Sequence, residues 1–463
     1  MPQQIPSPTG TRDFYPLALA RRRYIERAWR AVSVRHGFDE VDGPTFEHLQ
    51  LYTVKSGDGI VSELFSFTRA GGDKDFALRP EFTPTLARLY AAQAAQLPKP
   101  TKWFWQSTCF RAERPQRGRL REFLQWNCDI LAGEDRALAD AEIIAVVIDL
   151  LATLGLKPGD VTVRINDRSA AASAIRRAGV TEEGAEGAEG GETETGAGPR
   201  TLRALALLDK KNKLKPEVFA QQCAELGLDE ARYAAEMQEV AAAGVRVLQN
   251  SAQGVDHALL AERAAGLGEL CAQLRLAGLA DWCTVDPTIV RGLAYYTGTV
   301  FEVIAGDERA LAGGGRYDNL VGLLGGPPTP AMGFGMGDVV LSLVLADKGL
   351  MPGDAELLRT MGLTPQVFVV SNSTPEADAV LASTLGALRG SGLHGRRSYK
   401  ATKNIGKLLK EANEAQARVA MILESGATAT VKDLATGVQE LLPLDEAIAR
   451  AIVLTKGLSK ETI

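Results

Sequence analysis

Five cysteines and four histidines are spread over 463 residues with no Cys-x-x-Cys pair and no ligand-like histidine spacing, so neither a disulfide framework nor a structural metal is indicated. Long apolar runs are missing as well: nothing approaches the roughly 20 residues of a membrane helix. The opening Met1-Pro-Gln-Gln-Ile-Pro-Ser-Pro-Thr-Gly10 lacks the basic-then-apolar pattern of a signal peptide, and the expectation is a cytoplasmic protein with no membrane partner. Positive charge is not in excess either. A formal net charge of −5 excludes wrapping nucleic acid by gross electrostatics but leaves room for a local basic face. There is no Walker lysine motif, and the glycine-rich stretches fail the dinucleotide fingerprint in spacing and in the acidic residue that should follow. What remains has the apolar and charged fractions of a soluble globular chain, too long for a single core and so expected to form two or three domains.

The stretch that organises the rest is Arg291-Gly-Leu-Ala-Tyr295-Tyr296-Thr-Gly-Thr-Val-Phe-Glu302. Its residue types favour a strand, with Tyr295, Thr297, Thr299 and Phe301 alternating against Tyr296, Gly298, Val300 and Glu302. Two phenols and a guanidinium at a strand entrance can bind a small polar ligand and neutralise a carboxylate or phosphate; an aromatic core strand with a snorkelling arginine fits the same residues.

Upstream, Arg21 to His36 has the three- and four-residue apolar spacing of a helix ended by Gly37. Phe38 to Phe46 reads as a short strand broken by Pro44. Phe76 to Tyr90 reads as strand, turn and helix, with Thr83 the expected N-cap, Pro84 the first helical residue and Glu81 just outside, placed either for a ligand's ammonium or for the helix dipole. From Trp103 to Asp129 two strands are predicted around the basic loop Arg114-Pro-Gln116-Arg117-Gly-Arg119. Arg111, Arg121, Gln125 and Asp129 would then share a floor able to take a nucleoside triphosphate and a polar substrate together. A long helix is expected over Glu134–Leu156 and a strand over Val161–Ile165.

Residues 167–268 change texture to alanine-rich helices, interrupted at 182–199 by an acidic, glycine-rich run that buries too little apolar surface to order itself. The core pattern returns over 269–350 with Gly313-Gly-Gly-Arg316-Tyr317-Asp318 and Gly333-Phe-Gly335-Met-Gly337-Asp338, glycines that ahead of a helix let backbone N–H groups approach an anion. Beyond a linker at 351–365, alternating strand and helix patterns give a small α/β domain over 366–463. There Lys400, Lys403, Lys407 and Lys410 recur at three and four residues, as a solvated face or a nucleic-acid contact.

In this order the motifs resemble those of class II histidyl-tRNA synthetases over nearly the whole chain. Gly10-Thr-Arg-Asp-Phe-Tyr-Pro16 resembles the family's N-terminal signature, and Pro44 falls in a stretch similar to motif one, a dimer-interface element. Phe110-Arg-Ala-Glu113 through Arg121-Glu-Phe-Leu-Gln125 resembles motif two, and Gly333 to Asp338 resembles the start of motif three. Arg291–Glu302 and Gly313–Asp318 resemble the family's own histidine motifs. The resemblance implies an α+β fold: an antiparallel catalytic sheet in two parts (1–166 and 269–350), a helical insertion (167–268), and an anticodon-binding domain (366–463). It implies L-histidine, ATP with Mg2+, and tRNA(His) as partners of a homodimer. It also implies roles. Glu81 and Thr83 would hold the histidine ammonium; Gln125, Asp129, Tyr295 and Tyr296 would line its pocket. Arg111 and Arg121 would grip phosphates, with Glu113 near the adenine and Arg291 at the reacting α-phosphate. Gln116 and Arg117, with Lys400, Lys403 and Lys407, would touch tRNA. The sequence departs from the pattern at Asp338-Val339, where the family has Glu-Arg; either another arginine, Arg316, substitutes at the γ-phosphate or ATP handling is weakened. Val339 also favours the second reading, a non-catalytic relative similar to the regulatory subunit of ATP phosphoribosyltransferase. A synthetase of another specificity is a third, opposed by the histidine motifs.

Overall fold

The computed structural model describes residues 5–56, 61, 63–182, 198–211, 214–289, 295–306, 310–400 and 402–455. Arg291 and the interior of the acidic run, 183–197, lie outside the described residues. The chain divides into two units, Met1–Asp13 with Ile25–Leu350 and Phe14–Tyr24 with Met351–Ile463.

In chain order the first unit takes part of helix α1 (Pro16–Arg35), then β1 (Asp39–Glu40), β2 (Phe46–His48), α2 (Gln50–Ser56), β3 (Ser66–Thr68), β4 (Asp75–Leu78), α3 (Thr83–Gln93), β5 (Thr101–Phe110), β6 (Glu122–Leu131), α4 (Arg136–Thr153) and β7 (Thr162–Asp167). Six helices follow: α5 (Arg168–Arg177), α6 (Pro199–Asp209), α7 (Pro216–Leu226), α8 (Glu230–Leu248), α9 (Gly254–Arg263) and α10 (Ala265–Leu276). The sheet then resumes with β8 (Cys283–Val285), β9 (Thr299–Ile304), β10 (Ala312–Arg316), α11 (Leu320–Leu323), β11 (Ala331–Gly337) and α12 (Asp338–Asp347).

Aromatic and β-branched residues along β5 and β6 make the expected antiparallel pair, with Ser107 opposite Gln125, Trp105 opposite Asn127 and Trp103 opposite Asp129. The pair seeds an 8-stranded sheet ordered β1-β5-β6-β11-β10-β9-β7-β8. Only its outermost pairs, β1 with β5 and β7 with β8, are parallel. Because directly opposed residues share a face, the sheet has a back carrying Phe104, Trp126, Phe301 and Phe334 and a front carrying Asn127, Asp129, Glu302 and the glycines 313, 315, 333 and 335. Trp126 stacks on Trp29 of α1, centroids 5.8 Å apart, and its indole N–H donates to Ser33 Oγ at 2.9 Å. On the front, Phe82, Leu86 and Tyr90 of the α3 region pack with Trp105, Tyr295, Tyr296, Leu320 and Val321.

The predicted insertion is helical, and α5 to α8 share an apolar core of their own. Its far boundary moves, because residue 268 falls inside α10, which runs unbroken from Ala265 to Leu276. The acidic run is shorter than the composition suggested. Pro199 opens α6, and the Glu182 carboxylate accepts the N–H groups of Arg200 and Thr201 at 3.0 Å each, so the ends of the run meet at a helix cap. α1 likewise starts at Pro16 rather than Arg21, a favourable first helical residue.

The second unit has α13 (Asp354–Thr360), β12 (Val367–Ser371), α14 (Pro375–Gly390), β13 (Gly395–Arg397), α15 (Ile405–Glu414), β14 (Val419–Leu423), β15 (Thr428–Asp433), β16 (Gln439–Pro443) and α16 (Leu444–Thr455). Its sheet is ordered β13-β12-β14-β15-β16. Thr374 caps α14 as expected, its hydroxyl accepting from the Ala377 N–H. The expected linker is corrected: 351–365 contains α13, held by the buried Leu357. The lysine stripe is corrected too. Asn404 caps α15, so only Lys407 and Lys410 are helical, while Lys400 precedes the helix and bonds Glu411 at 3.2 Å.

Candidate active site

The front face encloses a cavity of about 430 Å³ whose floor is β6, β11, β10 and β9. Its space comes from missing side chains. A Cβ at Gly333 would lie 1.8 Å from Asp129 Oδ1, one at Gly335 2.7 Å from Gln125 Nε2, and one at Gly315 2.6 Å from the Tyr296 ring. These glycines were expected to free backbone N–H groups for an anion; they sit in strand ladders instead, and what they supply is room.

Glu81, Thr83, Gln125, Tyr295 and Tyr296 all line the cavity, as does Arg111. Thr83 is not a cap: α3 begins at Thr83 itself after Phe82, with no side-chain cap bond. Its hydroxyl is thereby left for Tyr295. Glu81, just ahead of α3, accepts the Tyr295 hydroxyl on its Oε2 at 2.6 Å. Burial, and then Glu81, hold the Tyr295 phenol well above its usual range, so it stays protonated. The strict alternation expected for the two tyrosines fails because β9 starts only at Thr299, and both rings turn to the front, edge to face at 4.9 Å.

Arg111 lies over the Phe123 ring, 5.0 Å from its centroid, and donates Nε–H to Pro80 O at 3.1 Å. Its Nη groups have no partner among the described residues, which leaves a fixed fork for an anion. Gln125 donates to Asn127 Oδ1 at 2.7 Å.

Other expected site residues lie elsewhere. Asp129 is 1% exposed opposite Gly333 and is not in the lining; Tyr317, which is, donates its hydroxyl to Asp129 Oδ1 at 2.6 Å. Burial raises its carboxyl to about 7, against the Tyr317 hydrogen bond and with help from Glu81. Glu113 and Arg121 are not in the lining. The Glu113 carboxylate takes Arg119, and Arg121 bonds Glu113 O at 3.2 Å and Thr9 O at 3.4 Å. Arg316 is corrected outright. It leaves β10 on the back face, where it is 3% exposed and bonded to Asp140 and Asp318, so it cannot serve a phosphate in the front cavity. Asp338 is structural, accepting Leu124 N–H at 2.9 Å and pairing with Arg12 at 2.7 Å; Val339 lines the cavity. Gln116 and Arg117 are exposed in a tight turn closed by paired Gln116 and Arg119 backbone bonds. Arg291 lies outside the described residues. The lining residues not foreseen as site residues include Asn127, Glu302, Arg119, Phe123 and Tyr317. Parity with Gln125 on the predicted strand pointed to Asn127 and Phe123; Tyr317 carried no parity signal.

A family sequence model described as Histidyl-tRNA synthetase matches residues 10–337. The histidine–tRNA ligase of Opitutus terrae is 36% identical over 447 residues, 95% of this chain and 96% of that protein. That of Pyrococcus abyssi is 34% identical over 453 residues, covering 95% and 97%. Among solved structures, apo histidyl-tRNA synthetase of S. aureus superposes with a TM-score of 0.67 at 22% identity, covering 96% of this chain and 99% of that one. An ATP phosphoribosyltransferase regulatory subunit/histidyl-tRNA synthetase of Bacillus halodurans gives 0.63 at 21%, covering 89% and 97%. At these identities the structural likeness is one of fold.

Proposed function

The chain belongs to the histidyl-tRNA synthetase family, and from that premise we propose how its own residues carry out the reaction. It is an ATP-dependent histidine–tRNA ligase: histidine is activated to the adenylate and passed to the 3′ end of tRNA(His). The ligases of 36% and 34% identity favour this over the regulatory reading, which rests on likeness of fold at 21%.

The observation that carries the residue assignment is that a carboxylate and a guanidinium line one cavity. Glu81 with Tyr295 suits an ammonium and an imidazole, and the Arg111 fork, whose Nη groups have no partner among the described residues, suits a phosphate. Histidine binds with its ammonium at Glu81 and Thr83 and its carboxylate toward Arg111. That carboxylate attacks the α-phosphorus of ATP, the bond to the β-phosphate breaks, and pyrophosphate leaves. The terminal ribose hydroxyl then attacks the carbonyl carbon and AMP departs. No side chain forms a bond to substrate; the rate comes from holding the reactants in line and from cationic charge at the phosphate, supplied by Arg111 and Arg291. The adenine rests on Phe123, with Val339 and Val340 as the apolar part of the wall. Mg2+ would arrive with ATP: Glu302 is a carboxylate in the cavity lining, and magnesium is commonly held by one or two carboxylates plus phosphate oxygens. When bound it neutralises phosphate charge. A pocket built to pair imidazole nitrogens leaves its polar groups unpaired with an isostere, worth about 10⁴ to 10⁵ in discrimination.

The homodimer is supported by the outer face of the β2-β4-β3 sheet, where Phe46 and Phe67 are 49% and 43% exposed around Phe76. For tRNA, Lys403 and Lys407 are exposed, and Tyr399 stands 84% exposed with the Arg397 guanidinium 4.8 Å from its ring, a surface for stacked single-stranded bases. Lys403→Ala and Lys407→Ala should each weaken tRNA binding and lower its salt slope by about one.

The deciding assay is exchange of pyrophosphate into ATP across the amino acids, which should require histidine. Histidine binding without exchange would restore the regulatory reading.

A further inference from the structure

The segment that carries both cavity tyrosines lies just ahead of the sheet. β9 begins at Thr299, so Tyr295 to Gly298 depend on individual bonds rather than on a strand ladder. The catalytic sheet supplies some of them: Thr297 N–H donates to Arg316 O at 2.8 Å, and the Thr297 hydroxyl accepts the Asp318 N–H at 3.3 Å. The first turn of α5 supplies others: Arg168 N–H donates to Gly298 O at 2.9 Å, and Ser169 Oγ donates to Thr297 O at 3.0 Å. α5 opens the insertion. Asp167 caps it, Oδ1 accepting the Ala170 N–H at 3.0 Å, and Ala171, Ala174 and Ile175 pack with Leu205, Phe219 and Met237 of α6, α7 and α8. The Arg168 side chain, 7% exposed, follows the same route: burial lowers its pKa, and Asp209 of α6 and then Tyr296 oppose that. One guanidinium thus feels both the insertion and a cavity tyrosine.

We propose that α5 is a strut through which the insertion sets the position of Tyr295 and Tyr296, with Ser169 as the positioning residue at its tip. The packing of α6 to α8 fixes α5, Ser169 Oγ passes that position to Thr297 O, and the neighbouring tyrosines follow the backbone they share with Thr297. Whatever loosens the insertion core then loosens the cavity wall, and the coupling is reciprocal: an occupied cavity stiffens the insertion. The proposal rests on the reading above for one thing, that histidine is the ligand whose affinity reports the tyrosines.

The test is a double-mutant cycle on the full chain, with histidine affinity read by direct titration and pyrophosphate exchange run beside it. Ser169→Ala removes the tip of the strut and should weaken histidine binding about fivefold, the size of one lost hydrogen bond, with the KM for ATP within about twofold of the parent. Ser169→Thr keeps the hydroxyl, and its added methyl has room because Ser169 borders a second cavity of about 430 Å³ on the back face. That variant should bind histidine within about twofold of the parent. Ile175→Ala, at the far end of α5, should weaken histidine binding about threefold alone and add nothing to Ser169→Ala, because the strut is already cut. Phe219→Leu, a milder change in the same core, takes its place should Ile175→Ala not fold. A lower melting temperature with parent histidine affinity in Ser169→Ala overturns the proposal, as does Ser169→Thr binding as weakly as Ser169→Ala. Effects that multiply in the double variant, to about fifteenfold, overturn it as well. A parent that binds histidine without exchange would fail the assigned activity and leave the cycle measurable, whereas a parent that binds no histidine overturns both.

Discussion

One peptide bond separates Arg316 from Tyr317, and their side chains leave the sheet on opposite faces into opposite situations. Behind the sheet the charge of Arg316 is fully paired: it reaches Asp140, Asp318 at 3.0 Å and the Arg136 carbonyl at 3.0 Å, and Asp318 also accepts Ala331 N–H at 2.9 Å. In front, among the described residues, demands are left open: one Asp129 oxygen has no donor and the Arg111 Nη groups have no partner. A satisfied buried charge contributes rigidity, whereas an unsatisfied one facing a cavity waits for a ligand. The difference separates the residues that hold this sheet from those that would work on it.

The sharpest way to break the comparison is to fill the front. Gly333→Ala would put a Cβ 1.8 Å from Asp129 Oδ1, and something must shift. We expect histidine-dependent exchange to fall by about 100-fold or more, as misplacements of about 1 Å do. A folded Gly333→Ala protein with parent kinetics would mean that Asp129 has no part in binding. Next in size is the back. Arg316→Met strands Asp140, 4% exposed at the side chain, and leaves Asp318, among the described residues, only Arg136 and the Ala331 N–H; it should cost about 3–5 kcal/mol in denaturant unfolding while leaving the KM for ATP unchanged. The reverse outcome, stable protein with weakened ATP binding, would return Arg316 to the γ-phosphate.

Why the sequence allowed Arg316 to be misjudged is itself physical. The β5–β6 floor was legible because bulky and polar residues alternate along both strands, so parity could be counted and Gln125 placed opposite Ser107. β10 is Ala-Gly-Gly-Gly-Arg, with no side chains to mark a face, and counting through it has nothing to count. The two tyrosines were misplaced for a related reason: the strand begins at Thr299, and no residue type announces that. Thr83 has the chemistry of a cap, yet a tertiary contact with Tyr295 claims its hydroxyl. Tyr317 stood in a quoted motif, but its bond to Asp129 spans 188 residues and is visible only once the sheet is closed. The short α13 offered one buried leucine, too little periodicity to call it out of a linker.

The smallest expected effect tests the back of the sheet in a different currency. His36, at the end of α1, sets Nδ1 3.2 Å from Glu142 and Nε2 3.0 Å from Asp149, while Lys102 bonds Glu142 at 2.8 Å and Arg35 bonds Asp149 at 2.7 Å. Both ring nitrogens can donate to these carboxylates only as imidazolium. The Glu142 hydrogen bond, opposed by burial and helped by Asp149, raises His36 above its ordinary 6.5. A folded-state value above the unfolded one means that the contribution is complete below about 6.5 and is lost as pH rises through the raised value. Glu142, drawn down to about 2 chiefly by His36, stays ionised through that window and adds no slope. Thermal stability of the parent should therefore decline from pH 6.5 upward relative to His36→Gln, with histidine and ATP KM values the same in both, since nothing in this cluster faces the cavity. Parallel melting curves over that range would show that the imidazole is neutral between its carboxylates, and that the back of the sheet is less fully satisfied than its distances imply.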